Sequence, residues 1–210
     1  MKLSSIHPLL AACVIAVPAM ASAQGTKTSY VAHLVSMNSK ASGGHAAGEA
    51  TFTVIGDSLR IRVRMHDVPP GIAHLQHIHG FTDGHQSVCP SSSADKNGDG
   101  VIDLKETEPF LGITMVPFTA DPVSMVIVTD SYPKASDKGA YSYDKTVSLS
   151  ALQTAFSAKY PGQSLALEKR VVLVHGIPAT AALPKTAASL GDIPAQVTIP
   201  IACGAIKRVK

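Results

Sequence analysis

Short runs in which apolar and polar residues alternate, separated by Gly, Pro, Asp or Ser, dominate this chain and leave it few folds to choose from. Residues 28–37, 47–55, 59–66, 123–129, 170–175 and 195–201 are rich in Val, Ile and Thr and carry a period of two. Side chains on a strand alternate between its faces, so the set predicts an all-β protein. Ile55-Gly56-Asp57-Ser58 reads as a hairpin turn, and Val68-Pro69-Pro70-Gly71 ends a strand where proline cannot continue the ladder. One helix is predicted over 150–160, where Leu152, Ala155, Phe156 and Lys159 fall at helical spacing before Pro161-Gly162. Many short strands with long loops point to a sandwich or a Greek-key barrel.

Residues 1–23 read as an export signal: Lys2 is the charged start, 9–20 the apolar middle and Ala21-Ser22-Ala23 the small-residue site before Gln24. A single exported domain over 24–210 is then expected, periplasmic or extracellular. Leu10-Ala11-Ala12-Cys13 imitates a lipoprotein cleavage box, but little apolar chain precedes Cys13 and the apolar run continues past it. No other apolar run approaches the roughly 18–20 residues of a membrane helix, so no span is expected. Cys13 leaves with the signal, and Cys89 and Cys203 remain of the 3 cysteines. In an oxidising compartment they are most simply a disulfide, with two buried thiols as the alternative. The formal charge of +3 loses one unit with Lys2, and the basic residues are dispersed except at Lys207-Arg208-Lys210. That balance makes no case for nucleic acid as a partner.

Asp95-Lys96-Asn97-Gly98-Asp99-Gly100-Val101-Ile102-Asp103-Leu104-Lys105-Glu106 places oxygen donors in the order of a calcium loop. Asp95, Asn97 and Asp99 supply side-chain oxygens, Gly100 permits the sharp turn and Val101 offers its carbonyl. Asp103 reaches the ion directly or through water, and Glu106 can bind bidentately. An acidic surface loop is the alternative. Pro90 and Ser91-Ser92-Ser93 make a poor incoming helix, and Pro109 is expected to cut the outgoing one short. The segment 95–106 therefore reads as a calcium loop inserted in another fold, which orders its surroundings, and not as half of a sensor pair.

His77-Ile78-His79 sits in a strand-like stretch, where residues i and i+2 face the same side, and His175 ends an apolar run that a strand would hold in place. Imidazole suits copper and zinc, so three such groups suggest a transition-metal site, with hydrogen-bonded structural histidines as the alternative. These segments together resemble copper/zinc superoxide dismutases. Gly71-Ile72-Ala73-His74-Leu75-Gln76-His77-Ile78-His79-Gly80 is similar to that family's first copper-ligand segment, and residues 169–175 to the strand that ends in its last copper ligand. Ile201-Ala202-Cys203-Gly204-Ala205-Ile206 is similar to its closing segment, and the order of the three is the same. The resemblance implies a Greek-key β-barrel, copper on His77, His79 and His175, an intrachain disulfide between Cys89 and Cys203, and structural roles for His74 and Arg170. It covers the two ends of the mature chain well and the middle poorly.

The departures from that family bear on the chemistry. Asp95 stands where the family has the histidine that bridges copper and zinc, and no histidine lies between Cys89 and His175. No zinc is therefore expected. Pro200 stands where the family has its active-site arginine, which leaves Arg60, Arg62, Arg64 and Arg208 as candidates for that charge. Gly176-Ile177-Pro178 offers no counterpart to the zinc-side aspartate. What the resemblance implies is an exported, copper-only protein that disproportionates superoxide, a small anion, with protons drawn from solvent and with calcium in the 95–106 loop. His85 is a candidate fourth ligand or proton donor, or a solvated loop residue, and His33, His45 and His66 carry less support. The resemblance also allows a homodimer. The alternative function is a non-catalytic copper- and calcium-binding β-barrel similar to chordin-type domains.

Overall fold

The computed structural model describes residues 26–210. The expected signal at 1–23 and Cys13 lie outside the described residues. In chain order the strands are β1 Lys27–Ser36, β2 Ala47–Ile55, β3 Ser58–His66, β4 Gln76–Gly80 and β5 Ile113–Pro117. They continue as β6 Tyr141–Ser148, β7 Val171–His175, β8 Pro200–Ala205 and the short β9 Lys207–Arg208. The helices are α1 Ser39–Ser42, α2 Leu104–Leu111, α3 Leu149–Lys159 and α4 Ala195–Thr198. The protein is all-β: one antiparallel sheet runs in the order β5-β4-β7-β8-β1-β2-β3-β6, with β9 beside β1. Its two ends curl towards each other. Phe118, just past β5, stacks on Tyr143 of β6 at 5.8 Å, and Tyr141 of β6 donates its hydroxyl to Gln76 of β4 at 3.2 Å.

The alternating strands form where one face can be buried. In β3, Leu59, Ile61, Val63 and Met65 enter the core while Arg60, Arg62 and Arg64 stand on the outer face. Burying each such apolar side chain contributes roughly 1.5–3 kcal/mol relative to leaving it exposed. The turn Gly56-Asp57 joins Ile55 to Ser58, with Gly56 at φ 57°, a conformation that glycine adopts without the steric cost other residues bear. β4 and β7 follow a different rule, since every residue in both is buried. Ile78, Val172 and Val174 face the main core, whereas Val171 and Leu173 join a second cluster with Met37, Leu111 and Cys203. These two strands are thus covered on both sides, which explains the continuous apolar run at 171–174.

Three expectations are corrected. Residues 123–129 form no strand: a 3-10 turn covers Pro122–Ser124, the Asp121 side chain accepts from Val123 N–H, and Met125 turns left-handed at φ 57°. Without a neighbouring ladder, β-branched residues do not make a strand, and Val126, Ile127 and Val128 are exposed. The run at 195–201 opens as the helical turn α4 and becomes extended only at β8, because Pro194 starts a turn that β8 cannot include. α2 passes through Pro109 to Leu111. Its first turn is secured by a capping box, in which Asp103 accepts from Glu106 N–H and Glu106 from Asp103 N–H. β5, β6 and β9 escaped the sequence pattern.

Cys89 and Cys203 form a disulfide across a separation of 114 residues, with Cα atoms 5.8 Å apart. It pins the loop before the 95–106 segment to β8. Replacing both cysteines with Ala is expected to destabilise the fold by about 2–4 kcal/mol and to lower Tm by roughly 5–15 °C, read by thermal melts. An unchanged Tm would show that the loop closes without the bridge.

Arg170 is a buried cation with no carboxylate partner among the described residues. Its guanidinium donates to the carbonyls of Leu165, Phe81 and Ser164, each at 3.1 Å, and so gathers two loops around the start of β7. A Cβ at Gly80 would collide with this guanidinium, so only glycine fits the end of β4. His74 lies between the carbonyls of Pro69 at 2.9 Å and His175 at 3.0 Å, which ties the segment before β4 to the end of β7. Both side chains hold main-chain segments together.

Candidate metal centre

β4 and β7 bring three histidines together by strand geometry alone. His77 pairs across from Leu173 and His79 from Val171, so both stand on the face opposite the main core, and His175 follows Leu173 on that same face. The ring centroids are 5.3 Å apart for His77 and His175, 5.7 Å for His77 and His79, and 5.9 Å for His79 and His175. One nitrogen from each lies within 4.8 Å of the others, and each residue is 3% exposed. Among the described residues this is the one group of three or more His, Cys, Asp or Glu gathered so closely.

The hydrogen bonds state which nitrogens are free. His175 Nδ1 lies 2.8 Å from the carbonyl of Thr198, and its Nε2 is buried without a partner. His77 Nε2 lies 2.7 Å from the hydroxyl of Tyr132, and its Nδ1 is the orphan. His79 Nδ1 faces the carbonyl of Gly112 at 3.5 Å, and its Nε2 meets the Thr114 hydroxyl at 3.3 Å across from β5. Buried polar atoms are rarely left unpaired, so an orphan nitrogen on two of three clustered rings is a feature that metal ligation would explain. Burial holds all three rings neutral. It lowers His79 to about 3 and His175 to about 4, and it takes His77 well below its ordinary value, with the neighbouring histidines adding to the shift at His77 and His79. Neutral imidazole is the form that binds metal, and it serves Zn, Cu, Fe and Ni. The three-histidine group can therefore hold a metal ion.

The other histidines stand apart. His85 Nδ1 lies 2.6 Å from Asp83, and its ring stacks on Phe81 at 3.5 Å. His33 faces Glu49 at 3.6 Å and His66 faces Asp67 at 2.7 Å, both exposed. The arginines are also elsewhere: Arg60 and Arg62 hold Asp144 at 2.6 and 2.9 Å, Arg64 stands on the same outer face, and Arg208 is exposed on β9.

In the 95–106 loop the donors are turned on to the chain's own N–H groups. Asp95 accepts from Asp99 and Gly100 at 3.1 and 2.9 Å, Asn97 from Asp99 at 2.8 Å, and Asp99 from Val101 at 2.9 Å. Glu106 accepts from Lys96 and Asn97, and the second oxygen of Asp103 accepts from Ala188 N–H at 2.6 Å. Asn38 clamps the loop from outside. Its amide accepts from Ile102 N–H at 2.8 Å and donates to the carbonyls of Ile102 at 2.8 Å and Pro200 at 2.9 Å.

Sequence reasoning missed Tyr132 and Thr114. Neither belongs to a motif, and each reaches the histidines only through folding, Tyr132 from 55 residues away and Thr114 from 35. Among the described residues no helix is long and apolar enough to cross a membrane. Compared with known proteins, the chain matches no family model, and no curated protein matches it in sequence.

Proposed function

We propose that this protein is a copper-binding, superoxide dismutase-like protein of the copper-only kind, with one copper held by His77, His79 and His175. The observation that carries the reading is the convergence of three buried, neutral imidazoles, two of them with a nitrogen that has no hydrogen-bond partner. The order of the histidine and cysteine motifs along the chain, and the disulfide between Cys89 and Cys203, support the same kinship. When bound, copper would supply one-electron chemistry, by which one superoxide is oxidised to dioxygen and a second, with two protons, is reduced to hydrogen peroxide.

The chain's own residues hold the centre and exclude water from it. The carbonyls of Thr198 and Gly112 set the rings of His175 and His79. Arg60, Arg62, Arg64 and Arg208 serve other surfaces, so no guanidinium draws a small anion in, and turnover is expected well below the diffusional ceiling of about 10⁹ M⁻¹s⁻¹. The same lack of an anion-binding charge, with histidines only 3% exposed, favours a second reading in which copper and calcium are bound by the β-barrel without turnover. In either reading the donor order of 95–106 marks it as a calcium loop, worth roughly 1 kcal/mol at millimolar calcium. The disulfide and the signal-like residues 1–23 fit export to the periplasm or beyond.

Elemental analysis of the purified protein after exposure to Cu, Zn and Ca, with dismutase activity read on the same samples, tests this. One Cu and one Ca without Zn, together with turnover, is the expected result. One Cu without turnover would favour the binding protein, and calcium alone would leave the histidines as structural groups.

A further inference from the structure

We infer that the Tyr132 hydroxyl is the positioning group that decides which nitrogen His77 presents to a bound ion, an inference that rests on the metal-binding reading of the three histidines. The three rings are not oriented alike. His175 and His79 each face a main-chain carbonyl, of Thr198 and of Gly112, whereas His77 faces a side chain from a separate loop. A carbonyl can only accept, so it fixes a proton on the nitrogen that faces it. A phenol can accept or donate, and the two directions have opposite consequences.

If His77 Nε2–H donates to the Tyr132 oxygen, the ring proton points away from the cluster and Nδ1 carries the lone pair. If the phenol donates instead, the proton moves to Nδ1, inside the cluster, and the ligand is blocked. In both directions the hydroxyl engages Nε2, so Nδ1 is the nitrogen left for an ion shared with His79 and His175, and binding requires the first direction. Tyr132 meets His77 edge-on, with centroids 5.4 Å apart and planes at 82°. Tyr132 is 5% exposed, so water does not compete for the bond.

The loop that carries Tyr132 is stitched to the segment that carries His77. His74 N–H donates to the carbonyl of Pro133 at 3.0 Å, Ala73 and Lys134 form a bridge, and Ala135 N–H donates to Ile72 at 2.9 Å. The hydroxyl and the imidazole are therefore held in register by main-chain bonds just after Tyr132 and just before His77. Outer partners of ligating histidines set tautomer and ring angle, and their loss typically costs 10–100-fold in metal affinity.

Tyr132→Phe removes the oxygen and keeps the ring. Cu(II) is titrated into wild type and variant against a competing chelator, and the electron paramagnetic resonance spectrum of each complex is recorded. The expected result is 10–100-fold weaker binding by Tyr132→Phe with an altered copper hyperfine pattern. Tyr143→Phe, which removes a buried hydroxyl bonded to the carbonyl of Thr119 at 2.9 Å, should leave affinity and spectrum unchanged. Equal affinity and an identical spectrum for Tyr132→Phe would overturn the inference, while a wild type that binds no Cu(II) would overturn the metal reading and this inference with it. The unmodified protein offers an independent readout. ¹⁵N resonances of the His77 ring with Zn(II) bound should show the proton on Nε2 and the metal on Nδ1, and the opposite assignment would reject the role of Tyr132 even if the variant failed to fold.

Discussion

Replacing His175 with Ala is expected to weaken copper binding by on the order of 1000-fold while leaving the β fold in place. The loss exceeds the 10–100-fold typical of an outer partner because the change removes one of three donors outright. His77 and His79, two residues apart on β4, cannot enclose an ion from one strand, and no other histidine of the described chain stands near enough to replace the third. The fold should tolerate the change, since His175 is the last residue of β7 and faces away from the main core. Removing a buried nitrogen that has no partner also offsets part of the cavity cost. Competition titration with Cu(II) reads the effect, and His85→Ala serves as the control because that ring is held by Asp83 and Phe81. An affinity for Cu(II) within threefold of wild type would mean that the ion sits elsewhere.

Acid is expected to destabilise the metal-free protein in a window set by the same three histidines together with His74, which burial also holds below its ordinary value. An unfolded histidine takes its proton near pH 6.5, whereas burial delays protonation to about 4 at His175 and about 3 at His79. Between those limits the unfolded chain binds more protons than the folded one, so stability falls as pH drops below about 6.5. Each histidine contributes a slope of up to about 1.4 kcal/mol per pH unit, and above pH 7 the contribution is constant. Carboxylates held low by hydrogen bonds, such as Asp57 by Ser148 and Asp83 by His85, lose their contribution only as pH falls below about 3.8. Urea unfolding between pH 7.5 and 4.5 therefore isolates the histidines, and His175→Ala should flatten the curve. Copper binding should in turn persist to about pH 5, because the ligands are already deprotonated there. Stability independent of pH over this range would contradict the buried, neutral state of the rings.

Most of the sheet was legible because the cause of each strand is local. β1, β2 and β3 alternate since one face meets the core, and β7 is continuously apolar since both faces are covered. The histidine pair was legible for the same reason, as a period of two places His77 and His79 on one side. β6 was not: Tyr141 and Tyr143 are its buried residues, and the charged Asp144 and Lys145 that follow hide the pattern. Residues 123–129 had the composition of a strand but no strand to pair with, which composition does not report. The tautomers of the centre were beyond sequence reasoning altogether, because the carbonyls of Thr198 and Gly112 and the hydroxyl of Tyr132 come from the end of α4, the junction of α2 with β5 and a separate loop, which meet only in the folded chain.

The side of the sheet on which the histidines stand has a consequence for how the protein is assembled. The main core, from Phe52 and Ile61 through Val172 and Ile201, closes on the opposite face of β4 and β7 and contains none of the three rings. Chain collapse therefore needs no ion, unlike a zinc finger, in which the metal is the core. A newly made chain can complete its sheet and its Cys89–Cys203 bridge with empty hands, and if the proposed copper binds, it can do so afterwards. Scarcity of the metal would then yield a reservoir of folded, unloaded protein and not a population of unfolded chains.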